Sequence, residues 1–282
     1  MDIEYHIVFS QNRLEERPLW DYLVKNNIPH NATPGYNIGT VDILSSHPNW
    51  PEISEFLKRT HFLVLTDMVF SKEELLAAPW IRIRTTSRYG YPQPDDNFEY
   101  KRITYERNGK CGTCKAGLSQ ADAFRLKKIP SWKRRHVFAP FWVEDELFVS
   151  DVFADAFKNA GVTGVEFREV KKNNGLDVYP GVHQMFVTNH LKEGFLENDA
   201  SIRETTVCME CGRKTYFQYA HVQESFHKEI FEGAPDVVKT AERFGQDPVN
   251  GVPLMLINQK VYRLLVEKKL DKALKFYPIN LV

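Results

Sequence analysis

The chain has 282 residues and carries 37 basic and 37 acidic side chains, so its formal net charge is zero. That balance argues against a dedicated nucleic-acid or membrane-surface protein, whose footprint normally dominates the charge of a domain. No apolar run approaches the ~20 residues that span a bilayer, and the length suffices for one large or two ordinary domains with a sizeable core.

Residues 3–9 have the composition of an opening strand. A helix is expected from Pro18, a suitable first-turn residue, through Trp20, Leu23 and Val24. Prolines and glycines across residues 28–50 predict turns around one short strand at Val41–Leu44. A short helix should follow at Pro51–Arg59, then a buried strand at Phe62–Leu65. Ser71-Lys-Glu-Glu74 is a capping box, in which the hydroxyl and the carboxylate satisfy orphan amides reciprocally at a helix start. Pro79 closes that helix, and Trp80–Arg84 alternates as a half-exposed strand. The Pro- and Gly-rich residues 88–97 mark a boundary, giving an N-terminal α/β region of 1–95 and a second domain of 96–282. Phe98–Tyr105 alternates as a strand leading into the first of two cysteine pairs.

All four cysteines fall in two C-x-x-C knuckles, Cys111-Gly-Thr-Cys114 and Cys208-Met-Glu-Cys211. Two intervening residues let both thiolates of a knuckle face one ion, and two knuckles complete the tetrahedral shell that zinc prefers. Cys111, Cys114, Cys208 and Cys211 are therefore the expected ligands of one Zn²⁺. A closed four-thiolate shell leaves no open position, so this ion would contribute folding energy and not catalysis. A thioredoxin-like redox pair needs only one knuckle, at a helix start after a strand, whereas Cys111 follows the turn-forming Asn108-Gly109-Lys110. Two disulfides would need an oxidising compartment, and Met1-Asp2-Ile3-Glu4-Tyr5 lacks a basic-then-apolar export signal. A reducing cytoplasm is the expected location.

Residues 124–136 interleave Arg125, Lys127, Lys128, Lys133, Arg134, Arg135 and His136 with Phe124 and Trp132. Such a stretch could grip a nucleic-acid backbone and stack bases. With balanced overall charge the favoured reading is a solvated hairpin or loop leading to a strand at Val137–Val143. The alternative is a zinc-ribbon nucleic-acid binder using this stretch, and an acidic protein partner would suit the same patch.

From Leu147 to Val170 the sequence reads as strand, helix, strand, and Met255 to Ile279 repeats the design. Setting Val149 against Ile257 aligns Ser150 with Asn258, both good N-caps. It also aligns Phe153, Ala156 and Phe157 with Val261, Leu264 and Leu265, an i, i+3, i+4 stripe. Phe62–Arg84 is a looser third copy. Between the two clear copies, Val182–His190 alternates as a strand, and Val207–Tyr219 carries the second knuckle on a hairpin. The expected fold class is α+β, a layered mixed sheet with repeated strand–helix–strand units and a zinc-ribbon-like four-cysteine staple.

No H-E-x-x-H, G-x-S-x-G, P-loop or dinucleotide fingerprint is present, and His183 and His190, seven apart on a strand pattern, should face opposite sides. The chain is expected not to be an enzyme. Hidden catalysis would require a concave pocket with convergent polar groups.

Cys208-Met-Glu-Cys211-Gly212-Arg213, then Asp236-Val-Val-Lys-Thr and Phe244-Gly245, then the closing unit ending Phe276-Tyr-Pro-Ile279, resembles the double-CXXCG motif family. The likeness covers roughly residues 105–282 and rests on motif order; Lys115 follows the first knuckle where the family has glycine. That bacterial group includes immunity proteins encoded beside polymorphic toxins. The resemblance implies a non-catalytic protein that binds a cognate toxin stoichiometrically.

Overall fold

The computed structural model describes residues 1–10, 12–33, 37–106, 111–114 and 117–282. These form two compact units, Met1–Glu74 with Ala220–Val222, and Leu75–Tyr219 with Gln223–Val282.

In the first unit, the strand Asp2–Ser10 pairs antiparallel with Ile38–Leu44 on one side and Leu63–Val69 on the other; Asn31–Thr33 adds the far edge. Helices Arg17–Lys25 and Trp50–Arg59 each carry proline in the first turn, where no amide hydrogen bond is lost. Ile7, Phe9, Leu19, Leu23, Val41, Ile43 and Ile53 form its core. The capping box is present: the Glu74 amide donates to Ser71 Oγ at 3.2 Å and the Ser71 amide to Glu74 Oε2 at 2.8 Å. The helix it opens, Lys72–Ala77, leads the chain into the second unit.

The second unit begins before the proline-rich segment, because Trp80–Thr85 pairs with Met255–Asn258 and Leu274–Pro278 near the C-terminus. The units therefore part after Glu74 and not at residue 95. This also separates the looser third copy into two sheets: Leu63–Val69 belongs to the first unit and Trp80–Thr85 to the second.

The two clear copies share a topology. Leu147–Ser150 and Val165–Lys172 flank Val178–Val187, both antiparallel to it, and helix Asp151–Asn159 connects them. Met255–Asn258 and Leu274–Pro278 flank Trp80–Thr85 in the same way, connected by helix Gln259–Glu267. An outer strand pairs with the first strand of each copy: Val137 faces Val149, and Val237 faces Ile257. The aligned N-caps act alike, Ser150 Oγ accepting from the Phe153 amide and Asn258 Oδ1 from the Val261 amide.

The first strand of each copy is an unbroken apolar run because both its faces are covered. Leu147, Val149, Met255 and Ile257 enter one cluster with Phe153, Phe157, Val261 and Leu265 from the two helices. The alternate residues Phe148 and Leu256 enter two other clusters. Gly164 stands where the copies meet, at φ +87°, and a side chain there would run into the Val237 carbonyl. Asp236 fastens the same junction. Its carboxylate accepts from the Thr163 amide at 2.9 Å, from Asn258 Nδ2 at 2.7 Å and from Lys260 Nζ at 2.8 Å.

Several expected strands differ. Phe98–Tyr105 is a 3₁₀ turn at Asp96–Phe98 followed by a helix at Tyr100–Thr104. Tyr100, Ile103 and Thr104 stand at i, i+3, i+4, and that spacing, with Tyr100 and Thr104 buried, outweighs the apparent alternation. The strand after the basic stretch ends at Phe138, with one further bridge from Ala139 to Arg88, since Pro140 has no amide to donate and Trp142 turns the chain at φ +71°. The strand expected at Val182–His190 runs over Val178–Val187, which leaves His190 beyond its end. The structure is thus mixed α/β with five sheets among the described residues.

Candidate metal centre

The hairpin Ile202–Val207 and Lys214–Gln218 carries the second knuckle at its tip. The chain reverses with Cys208 N donating to the Arg213 carbonyl and Gly212 N to the Cys208 carbonyl. Gly212 sits at φ +71°, a conformation that glycine adopts without a Cβ penalty. The first knuckle meets this tip through Cys111–Cys114; the turn expected at Asn108-Gly109-Lys110, and Lys115, lie outside the described residues.

One sulfur of each of the four cysteines lies within 4.8 Å of the other three. Cys111 and Cys208 sulfurs are 3.7 Å apart and those of Cys114 and Cys211 3.5 Å, although the knuckles are 97 positions apart. None of the four is in a disulfide. A tetrahedral thiolate shell with bonds of ~2.3 Å has sulfur–sulfur edges of about 3.8 Å. The spacing is compatible with one metal ion held by all four.

Backbone amides support the charge such a shell needs. The Cys211 and Glu210 amides, donating to the Cys208 sulfur, pull its thiol down to about 6. The Cys111 thiol also receives the Cys114 amide, yet desolvation, with proton sharing among the Cys114 and Cys208 sulfurs, pushes it up to about 12. Four adjacent sulfurs cannot all ionise without a cation among them.

The sequence reasoning missed Glu210, which lies between Cys208 and Cys211 and reaches across to the other knuckle. It accepts from the Gly112 amide at 2.9 Å, the Thr113 amide at 2.9 Å and the Thr113 hydroxyl at 2.7 Å. Those donors, the Thr113 hydroxyl first, hold its carboxyl down to about 2. The available signal was a carboxylate inside a C-x-x-C facing a glycine-containing partner loop.

The basic stretch sorts by direction. Phe124 is buried in the core, and Trp132 packs its ring 5.7 Å from Phe138. Arg125 pairs with Asp122 at 3.2 Å. Lys127, Lys128, Lys133, Arg134 and Arg135 are exposed. The cations therefore face outward without an exposed aromatic platform from the same stretch. Of the histidines, His183 pairs with Asp151 at 2.7 Å, and His190 lies near the Thr240 carbonyl at 3.3 Å. No described helix is long and apolar enough to cross a membrane.

Comparison of the chain with protein-family models and with the curated proteins returns no match.

Proposed function

We propose that this is a non-catalytic binding protein of the immunity type, fastened by one structural Zn²⁺ on Cys111, Cys114, Cys208 and Cys211, that neutralises a cognate bacterial toxin in the cytoplasm. The observation that carries the reading is the convergence of four thiols from two distant knuckles within 4.8 Å. An all-thiolate set favours zinc over hard oxygen-seeking cations, and a filled shell supplies folding energy and fixes the hairpin against the first knuckle. The toxin is inferred from the resemblance to the double-CXXCG motif family.

A protein partner is further supported by a surface cluster of aromatics in the second unit. Tyr91, Phe98, Phe141 and Trp142 are 41%, 47%, 41% and 37% exposed. Trp142 lies 4.6 Å from Tyr91 and 4.4 Å from Phe98, ring centre to ring centre. Phe98 and Trp142 both hold left-handed backbone, at φ +60° and +71°. Large side chains tolerate that conformation at a cost of order 1 kcal/mol, which a chain keeps more readily where the presented side chains have a use. Exposed clustered Trp, Tyr and Phe are what protein interfaces concentrate at their centres.

The experiment has two arms. Metal analysis of purified protein should return about one zinc per chain, and a folded, metal-free protein would overturn the metal assignment. Pull-down with the product of the adjacent gene should capture a toxin; a gene with no toxin neighbour and no captured partner would overturn the immunity assignment.

A further inference from the structure

A cavity of about 340 Å³ opens in the second unit between the Tyr100–Thr104 helix and the short strand Arg243–Phe244. Its walls include Phe98, Tyr100, Lys101, Tyr105, Trp142 and Arg243. This is where polar groups converge in a concave site. Its size lies within the range that small-molecule sites occupy, ~300–1,000 Å³.

The charges around it are not balanced in the usual way. Glu144 and Asp145 also border the cavity, but each already has a cation: Glu144 pairs with Arg88, and Asp145 lies 3.4 Å from Lys239 Nζ. Lys239 is itself buried and pairs with Glu146 at 2.6 Å, and Glu146 accepts from Gln184 at 3.1 Å. Lys101 and Arg243 have no ion-pair partner among the described residues. Arg243 Nε is buried without a hydrogen-bond acceptor among them. The Lys101 ammonium sits 5.3 Å from the centre of the Phe98 ring.

Burial lowers the pKa of Lys101 and of Arg243 against the attraction of Asp145 at both, and the repulsion of Arg243 adds to the lowering at Lys101. Burial likewise raises Tyr105 well above its ordinary value, so its phenol stays protonated as a donor. A desolvated cation pair facing one cavity is costly unless an anion joins it. The guanidinium offers a planar fork suited to two oxygens of one oxyanion, and the ammonium a point charge beside it. The Phe98 and Trp142 rings at the mouth suit a flat apolar body.

We propose that this cavity binds a small organic anion, its carboxylate or phosphate monoester held between Lys101 and Arg243 and its planar body lying against Phe98 and Trp142. The site includes none of the four cysteines, and it shares Phe98 and Trp142 with the aromatic surface of the proposed function, so its test reads small-anion binding and not toxin capture.

The test is calorimetric titration of the zinc-loaded full chain with benzoate, with phenyl phosphate and with benzamidine, a cation of the same shape. Saturable one-to-one binding of benzoate or phenyl phosphate is expected, the tighter of the two naming the headgroup. Lys101→Met should weaken it by about tenfold, the loss of one charge-assisted contact, with metal content and thermal midpoint unchanged. Arg243→Gln should weaken it at least as much, and Lys101→Met keeps the test decisive if that variant misfolds. Absence of saturable binding by both anions up to ~10 mM, equal affinity in Lys101→Met, or equal binding of benzamidine would each overturn the proposal.

Discussion

Glu210 of the second knuckle accepts both the amide and the hydroxyl of Thr113 in the first, at 2.9 and 2.7 Å. The two knuckles are thus joined by a carboxylate clasp as well as by their sulfurs. Groups that orient metal ligands without touching the ion typically tune affinity by 10–100-fold. Glu210→Ala should weaken zinc binding by about that factor while all four thiols remain, as read by competition with a chromophoric chelator. Unchanged affinity would assign the clasp to loop packing alone.

Removing a ligand is more severe. Cys208→Ser should cost several kcal/mol in denaturant unfolding and drop the metal content well below one ion per chain, given the binding energies of structural zinc. Chelation of the wild-type protein should reproduce the loss, and re-addition of zinc should reverse it.

The two aligned N-caps make a matched pair of variants. Ser150→Ala should destabilise by about 1 kcal/mol, the ordinary worth of a capping oxygen. Asn258→Ala should cost more, because Asn258 also donates to the Asp236 carboxylate across the junction of the two copies, whereas the second contact of Ser150 is with the His136 ring. Equal losses in thermal or denaturant unfolding would show that the Asp236 contact adds nothing.

Asp236 sets a pH signature. Burial works against its charge, but Lys260, the Thr163 amide and hydroxyl, and Asn258 outweigh it and hold the carboxyl below its ordinary value. A group depressed in the folded state stabilises above its unfolded pKa, near 3.9, and loses that contribution as pH falls through the folded value. Wild-type stability should therefore drop as pH falls below about 5, and Asp236→Asn should show a shallower drop there. Parallel curves would exclude Asp236 from the acid response.

Trp142 separates folding from binding. Glycine suits its φ of +71°, so Trp142→Gly should leave unfolding stability within ~1 kcal/mol. If the aromatic cluster is the surface of the proposed partner, loss of Trp142 should weaken capture of that partner by about 2 kcal/mol, roughly thirtyfold. Retained affinity, measured by surface immobilisation, would remove the aromatic cluster from the interface.

Local signals in the sequence were legible where a single element decides them. The capping oxygens of Ser150 and Asn258, the stripe of Phe153 and Phe157, and the hairpin under Cys208 all follow from spacing alone. Long-range partners were not. Nothing around Trp80 announces that its strand inserts between Met255–Asn258 and Leu274–Pro278, and so the Phe62–Arg84 segment looked like a unit of its own. Tyr100 and Thr104 fit either period until burial chooses the helix. Glu210 and Arg243 are ordinary charged residues until the fold places one across a knuckle and the other beside a cavity.

The thiol cluster also has a bearing on the order of synthesis. Cys111 and Cys208 bracket a stretch of chain that contains the whole of the first copy, from Leu147 to Val170, and the strand Val178–Val187 that it flanks. A ribosome must therefore finish that copy and expose Cys211 before an ion can close the ring, and the strand at Trp80 waits longer still for Met255. On the proposed zinc assignment, metal capture is a late step for nascent chains, and a cell short of zinc would accumulate polypeptides that are complete in length but open at this clasp.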